Sequence, residues 1–501
     1  MTAELPYELW QYIASFLDTK SLRTLLLVNQ TLCSIAQGEC YKTMAIGLMP
    51  YPLIVPRPNN ILNAPRNIQW PIARRIKHLV FSYGDLTPPK KKRSKMRDVI
   101  METMRGLRRL ARVKRQHSDG NGTDIFNHFM DTVPALTSVS ALTLDINLEQ
   151  DDWRTQRLKI LHASWPVFAD NLRSLSITLG IEDIPPLLPK SKLNRLEILS
   201  ISISWSLCSA SHQALVMSND LVPFIAAHCD TIRDFVLNLP TSLDHSTFLK
   251  STPNLPFLRK FTLIQYYINL GQHDFDGHFE FLTAHRSHLQ HLEVRMHPRS
   301  FSSPSFPSCA QWFSQPWQMI HFPNLHVLKF DIYDDLRWRD DINLASTPLF
   351  HQHMHQLVAL EFRQWDVTYS NIAQFVTALR PSNLQNLSLS ISTMSADLLH
   401  LLADELPKLH SLQLYSAERD IFVNGNNDQR LFKFCKDILN ADFSEWKLHV
   451  LDLQFPFSFL NRKLFQAALL SALPRLQHLD GRWREEYRAG CYIWNEANWR
   501  K

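Results

Sequence analysis

The sequence predicts an α/β fold: a short N-terminal group of three helices, then a curved solenoid with a parallel sheet on its concave face. Three observations predict it. A six-residue apolar phrase recurs along most of the chain, the segments between its copies carry helical spacing, and the opening residues carry helix signals without the phrase.

The phrase is apolar-x-x-apolar-x-apolar, usually led by Leu. It occurs as Ile76-Leu79-Phe81, Val139-Leu142-Leu144, Leu172-Leu175-Ile177 and Leu196-Leu199-Ile201. It continues as Ile232-Phe235-Leu237, Leu258-Phe261-Leu263, Leu289-Leu292-Val294, Leu325-Leu328-Phe330 and Leu357-Leu360-Phe362. The last copies are Leu384-Leu387-Leu389, Leu409-Leu412-Leu414, Leu448-Leu451-Leu453 and a degraded Leu476-Leu479 that runs into Gly481. Its final half alternates apolar and polar, the period of a half-buried strand. Between copies, Leu398, Leu401, Leu402 and Leu406 ahead of Pro407, and Phe465, Ala468, Leu469 and Leu473 ahead of Pro474, keep helical spacing. Pro then ends the helix and the next phrase follows. From Val139 onward, copies start 24 to 39 residues apart, within the period range of stacked-repeat architectures.

Strand and helix alternating at this period resemble the leucine-rich repeat over roughly residues 70–485. In that family an Asn or Cys commonly follows the last Leu by three residues; here only Asn147 fits, so the repeats are degenerate. The resemblance implies stacking that buries an apolar stripe no repeat can bury alone. The alternative is an α/β sheet of another topology. The expected boundaries are 1–48 for the helices, 49–75 for a linker, 76–485 for the repeats with a basic insert at 88–123, and 486–501 for a tail.

The opening residues read as three helices. Pro6 suits a first turn, where no amide donor is needed. Leu9, Ile13, Phe16 and Leu17 then share one helical face. Asp18 and Ser21 can cap a second helix with Leu22, Leu25 and Leu26, and a third runs from about Gln30 to Ile46. So short a segment cannot bury this much aliphatic surface alone. Leu5-Pro6-x-Glu8-Leu9, Ile13, Leu17, Leu22, Leu25, Val28-Asn29, Ala36 and Tyr41-Lys42-Thr43 resemble the F-box, weakest at Cys33 and Gln37 where the family has bulky aromatics. The resemblance implies binding to the Skp-type adaptor of a cullin–RING ubiquitin ligase. It further implies that Leu5, Pro6, Leu9, Ile13, Leu22 and Leu26 press into that adaptor. The plainer reading is a helical cap on the repeat array, and both roles can coexist.

Composition narrows the remaining classes. Glycine is scarce, 12 in 501 residues, and neither G-x-G-x-x-G nor G-x-x-x-x-G-K-[ST] occurs, so no phosphate-cradling loop is expected. No esterase, zinc-protease or kinase motif is present, and neither catalysis nor a cofactor is expected. Seven scattered cysteines without a C-x-x-C pair fit reduced thiols in the nucleus or cytoplasm. No apolar run is long enough to span a membrane and no secretory signal opens the chain. The net charge of +6 belongs to one segment, Lys90 to Arg115. Within it Lys90, Lys91, Lys92 and Arg93 resemble a nuclear localisation signal, or equally a plain solvated loop. The amphipathic basic stretch beyond lacks base-stacking aromatics, which disfavours nucleic acid.

Two further groups stand out. His351, His353 and His355 alternate as on one face of a strand, but no further ligands complete a metal site, and an ordinary structural role is expected. In the later phrases the intervening residues should face outward: Glu293, Arg295, Lys329, Asp331, Tyr333, Glu361, Arg363, Trp365, Gln413, Tyr415 and Asp452. Of these, Arg295, Asp331, Tyr333, Arg363, Trp365 and Tyr415 form a candidate stripe for a protein target, since buried aromatics and Arg dominate interface energy. The expected function is substrate recognition within an SCF-type ligase. The alternative is a scaffold that uses the same adaptor without ubiquitin transfer.

Overall fold

The computed structural model describes residues 5–26, 28–47, 73–82, 130–146, 154–204, 209–239, 245–267, 276–298, 316–332, 348–367, 369–391, 394–415, 427–454 and 459–483. The linker over 49–72, the basic insert at 88–123 with Lys90–Arg93, and the tail at 486–501 lie outside the described residues. The chain is mixed α/β and its parallel sheet is not closed into a barrel. It divides into two compact units, Met1–Ile232 and Arg233–Lys501.

The first unit opens with α1 (Tyr7–Ser15), α2 (Thr19–Leu25) and α3 (Gln30–Cys40). Five strands follow, β1 (Thr43–Gly47), β2 (His78–Ser82), β3 (Ala141–Ile146), β4 (Ser174–Leu179) and β5 (Ile198–Ile203), each parallel to the next. Its crossover helices are α4 (Arg154–Phe168), α5 (Ile184–Leu187), and α6 (Ala210–Val216), which passes through a π segment, Met217–Leu221, into α7 (Val222–Ala227). Parallel neighbours need such crossovers because a tight turn cannot join them.

Every copy of the phrase is a strand, and within each unit the copies stack in register. Leu79, Leu142, Leu175 and Leu199 are direct partners in one row; Phe81, Leu144, Ile177 and Ile201 form the next, and all eight are at most 3% exposed. At about 1.5–3 kcal/mol per fully buried apolar side chain, a one-residue slip that turned such rows outward would forfeit an amount comparable to or above a domain's net stability.

The structure corrects the end of the third helix. The third helix stops at Cys40, and Thr43–Gly47 is not helical but the first strand, paired with β2 from Thr43↔His78 to Gly47↔Ser82. The register reveals a fourteenth phrase, Tyr41-Met44-Ile46, aligned with Ile76-Leu79-Phe81. Tyr in the leading place and the flanking helical spacing disguise it.

The second unit holds β6 (Asp234–Leu239), β7 (Lys260–Tyr267), β8 (His291–Pro298), β9 (Val327–Ile332), β10 (Ala359–Val367), β11 (Asn386–Ile391), β12 (Ser411–Tyr415), β13 (Val450–Gln454) and β14 (His478–Leu479), parallel in sequence order. Strand β15 (Arg482–Trp483) turns back antiparallel to β14. Its helices are α8 (His245–Ser251), α9 (Asp276–His285), α10 (Pro348–His353), α11 (Tyr369–Leu379), α12 (Ala396–Glu405), α13 (Asn427–Leu439) and α14 (Phe459–Ala472). Between β9, β10, α10 and α11 four fully buried rings, Phe330, Phe350, Phe362 and Phe375, meet at centroid distances of 4.8 to 5.9 Å, separations typical of favourable aromatic pairs. Helices α8 and α9 approach so closely that a Cβ on Gly277 would lie 2.0 Å from the Ser246 carbonyl oxygen.

Gly481 does not degrade the last phrase; it ends the ladder. Asp480 and Gly481 have φ of 50° and 74°, the pair of left-handed residues that a two-residue hairpin favours. Asp480 secures the turn, its carboxylate accepting from the Leu453 amide (2.9 Å) and from Gln466 Nε2 (2.7 Å).

Candidate functional site

Helix α1 carries two apolar stripes. Its start is set by Pro6, whose carbonyl accepts from the Leu9 and Trp10 amides. Asp18 caps α2 through the Ser21 amide (2.7 Å), and Asn29 caps α3 through the Leu32 amide (2.8 Å). One stripe of α1 (Trp10, Ala14, Leu17) meets Leu22, Leu25, Leu26, Ile35, Ala36 and Cys40 in a small core. The other stripe faces solvent: Leu9 is 47% exposed, Ile13 40%, Tyr12 64% and Phe16 71%. The Tyr12 and Phe16 rings meet edge to face at 4.8 Å. Leu5, Tyr7 and Val28 are exposed as well.

The six residues singled out from the sequence therefore separate. Leu5, Pro6, Leu9 and Ile13 are exposed and Leu26 is half-buried. Leu22 is 6% exposed, packed on Ala14, Ile35 and Ala36, so it supports the helices from within instead of facing outward. Phe16, grouped with Leu17 by spacing, lies on the outer stripe. Tyr12 and Val28 were missed as surface residues; the signal for Tyr12 was its four-residue separation from Phe16, beside Leu9 and Ile13. The same segment is fastened to the sheet. Arg75 Nη1 donates to the Ser34 carbonyl (2.6 Å), and the Lys77 and His78 amides donate to the Lys42 carbonyl.

The outward positions of the second unit behave differently. In register, Glu293, Lys329 and Glu361 form one row across β8, β9 and β10, and Arg295, Asp331 and Arg363 the next. Signs alternate along each row and each strand, so each charge has opposite charges beside it. Lys329 Nζ lies 3.1 Å from Glu361, and Arg295 and Thr262 both bond Glu293. Burial works to raise the Glu293 pKa, but His291, Arg295 and Lys329 outweigh it and hold the carboxylate at about 2. Asp331 is not outward and free to meet a partner: it is 8% exposed, between the register positions of Arg295 and Arg363. The Tyr415 hydroxyl donates to Gln413 (3.0 Å). Trp365 lies where the β10–β11 register shifts, between Phe362 and Val367. Tyr333 falls outside the described residues.

The expected strand at His351–His355 is instead the end of α10 and the turn after it. His353 is buried while His351 and His355 are exposed, because the helical turn separates residues that a strand would align. No cluster of three metal-ligating side chains occurs among the described residues.

No curated protein matches the chain. Residues 3–43, the span of the double-striped α1 and its two supporting helices, match the F-box domain family, and over that span this chain carries an F-box domain.

Proposed function

We propose that this chain is the substrate-recognition subunit of an SCF-type cullin–RING ubiquitin ligase. F-box domains bind Skp-type adaptors and so link to cullins, and their bearers are usually non-catalytic. The observation that carries the reading is the outer stripe of α1: four large apolar side chains left in water by a segment whose other face packs on the small helical core. Contiguous exposed apolar surface of this kind marks an interaction site. Leu5, Pro6, Leu9 and Ile13, with Tyr12 and Phe16, supply the adaptor contact in this reading, while Leu22 and Leu26 hold the helices beneath.

The phrase-bearing strands are leucine-rich-repeat-like, and the array they form presents a protein target. Ubiquitin transfer belongs to other subunits; this chain contributes proximity, raising the target's effective concentration near the conjugating enzyme. Lys90–Arg93 would direct part of the population to the nucleus. Co-purification from cells tests the whole reading. The intact chain should bring down adaptor, cullin and a target whose lifetime lengthens when the chain is deleted, and Leu9→Asp with Ile13→Asp should lose the first two together. Adaptor without cullin, or an unchanged target lifetime, would replace the ligase reading with a scaffold.

A further inference from the structure

Four phrases have a histidine four places ahead of their first apolar residue: His228 before Ile232, His285 before Leu289, His321 before Leu325 and His353 before Leu357. Three of these are buried, His228 and His285 at 1% exposure and His353 at 0%. Each reaches back to the backbone of the preceding repeat. The Leu193 amide donates to His228 Nε2 (2.8 Å), and the Leu255 amide donates to His285 Nε2 (2.9 Å). Both rings are aimed by their other nitrogen, Nδ1 donating to the carbonyl of Phe224 (2.7 Å) or Phe281 (2.6 Å). The side chains of those same phenylalanines pack on the imidazoles at 4.5 and 4.3 Å. Leu193 and Leu255 stand three places ahead of the phrases at Leu196 and Leu258, so the two bonds are equivalent by position.

His353 occupies the same place with the opposite tautomer. Its Nε2 lies 3.2 Å from the Ile320 carbonyl and 3.4 Å from the Phe322 amide, three places ahead of Leu325. Its Nδ1 is 3.0 Å from Gln356 Nε2, which also donates to the Phe322 carbonyl (2.6 Å). These roles follow from the hydrogen-bond network.

We infer that His228, His285 and His353 are pH-sensitive fasteners between successive repeats, closed only while their rings are neutral. A proton on Nε2 of His228 or His285 sets N–H against N–H, orphans a buried amide and leaves a buried cation without an acceptor for it. Among the described residues, the titratable groups that act on them supply no negative charge: Lys192 beside His228, His288 beside His285, and His321 stacked on His353 at 5.3 Å. Burial and these neighbours lower all three pKa values, that of His353 to about 4, so the fasteners are closed at neutral pH. The inference stands apart from the ligase reading.

Hydrogen–deuterium exchange of the full chain between pH 7.5 and 5.0, corrected for intrinsic rates, tests it. Peptides holding the Leu193 and Leu255 amides should lose protection by about tenfold or more, one unit of linkage, while α14 keeps its own. Exchange at the imidazole C2 proton in the same unmodified protein should report the three rings titrating below free histidine. His228→Gln with His285→Gln, which keeps an acceptor that cannot titrate there, should flatten the pH profile. Unchanged protection at Leu193 and Leu255, or loss of protection everywhere at once, overturns the inference, and the wild-type exchange alone decides if the variant fails to fold.

Discussion

Replacing Leu9 and Ile13 by aspartate should abolish capture of a Skp-type adaptor and leave the fold in place. Both side chains lie on the outer stripe of α1 and outside the core beneath it. Full burial of such a side chain contributes about 1.5–3 kcal/mol. At 47% and 40% exposure, a partner that covers them gains about 1 kcal/mol from each. An uncompensated carboxylate in an apolar contact adds a cost of several kcal/mol. Together the pair should weaken binding by about 4–8 kcal/mol, or roughly a thousandfold and more. Changes at exposed positions usually alter stability by only about 0.5 kcal/mol each. Calorimetric titration of purified adaptor into the full chain, beside a thermal melt, separates the two effects. Leu22→Asp is the comparator: a charge at a 6% exposed core position should lower the melting point and binding together. A double variant that melts like wild type and still binds the adaptor within about threefold, far short of that thousandfold, would refute the assignment of this stripe.

The remaining expectations concern the array. Gly277→Ala should destabilise by about 1–3 kcal/mol, because its Cβ meets the Ser246 backbone, whereas Gly38→Ala in α3 has open space and should be neutral or mildly stabilising; chemical denaturation compares them. Asp480→Ala should cost about 1.5–3 kcal/mol from two lost charge-assisted bonds, and Asp480→Asn less, since Asn tolerates φ of 50°. Cys435, fully buried with its thiol pushed up to about 12, should resist alkylation at pH 8 until the chain unfolds, while Cys33 and Cys229 react first. Because the unfolded chain binds protons at ordinary histidine pKa values and the buried rings do not, melting temperature should fall as pH drops below about 6.5, with the His353 share saturating near 4.

Thirteen strands were legible because the phrase stacks on itself, so each copy repeats the same steric demand: two buried positions flanking one outward. The fourteenth escaped because Tyr41 leads it and α3 runs almost into it. The exposed stripe of α1 was half legible. Helical spacing identifies apolar positions on α1 but cannot say which of two adjacent stripes its neighbours cover; Trp10, Ala14 and Leu17 won the inner side because Ile35 and Ala36 of α3 lie there. The histidine fasteners were invisible for a different reason. Their partners are backbone groups in the preceding repeat, thirty or more residues away and carrying no side-chain signature.

In-register parallel stacking constrains the charges on the outward face of the strands. It places like positions side by side, so identical charges at one outward position would repel along the row. Across β8, β9 and β10 the sequence avoids this by alternating Glu293, Lys329, Glu361 against Arg295, Asp331, Arg363. The alternation leaves little spare charge: Glu293 is already bound by Arg295 and Thr262, and Lys329 by Glu361. A target that read this face by charge would have to break those pairs and leave a partner such as Glu293, 6% exposed, without its cation, at a cost of the order of 1–3 kcal/mol. Lys329→Ala should therefore act first on stability and only secondarily on target capture. Stronger loss of capture than of stability would mean that a partner exchanges for Glu361 at that lysine, and would restore these charges as contact residues.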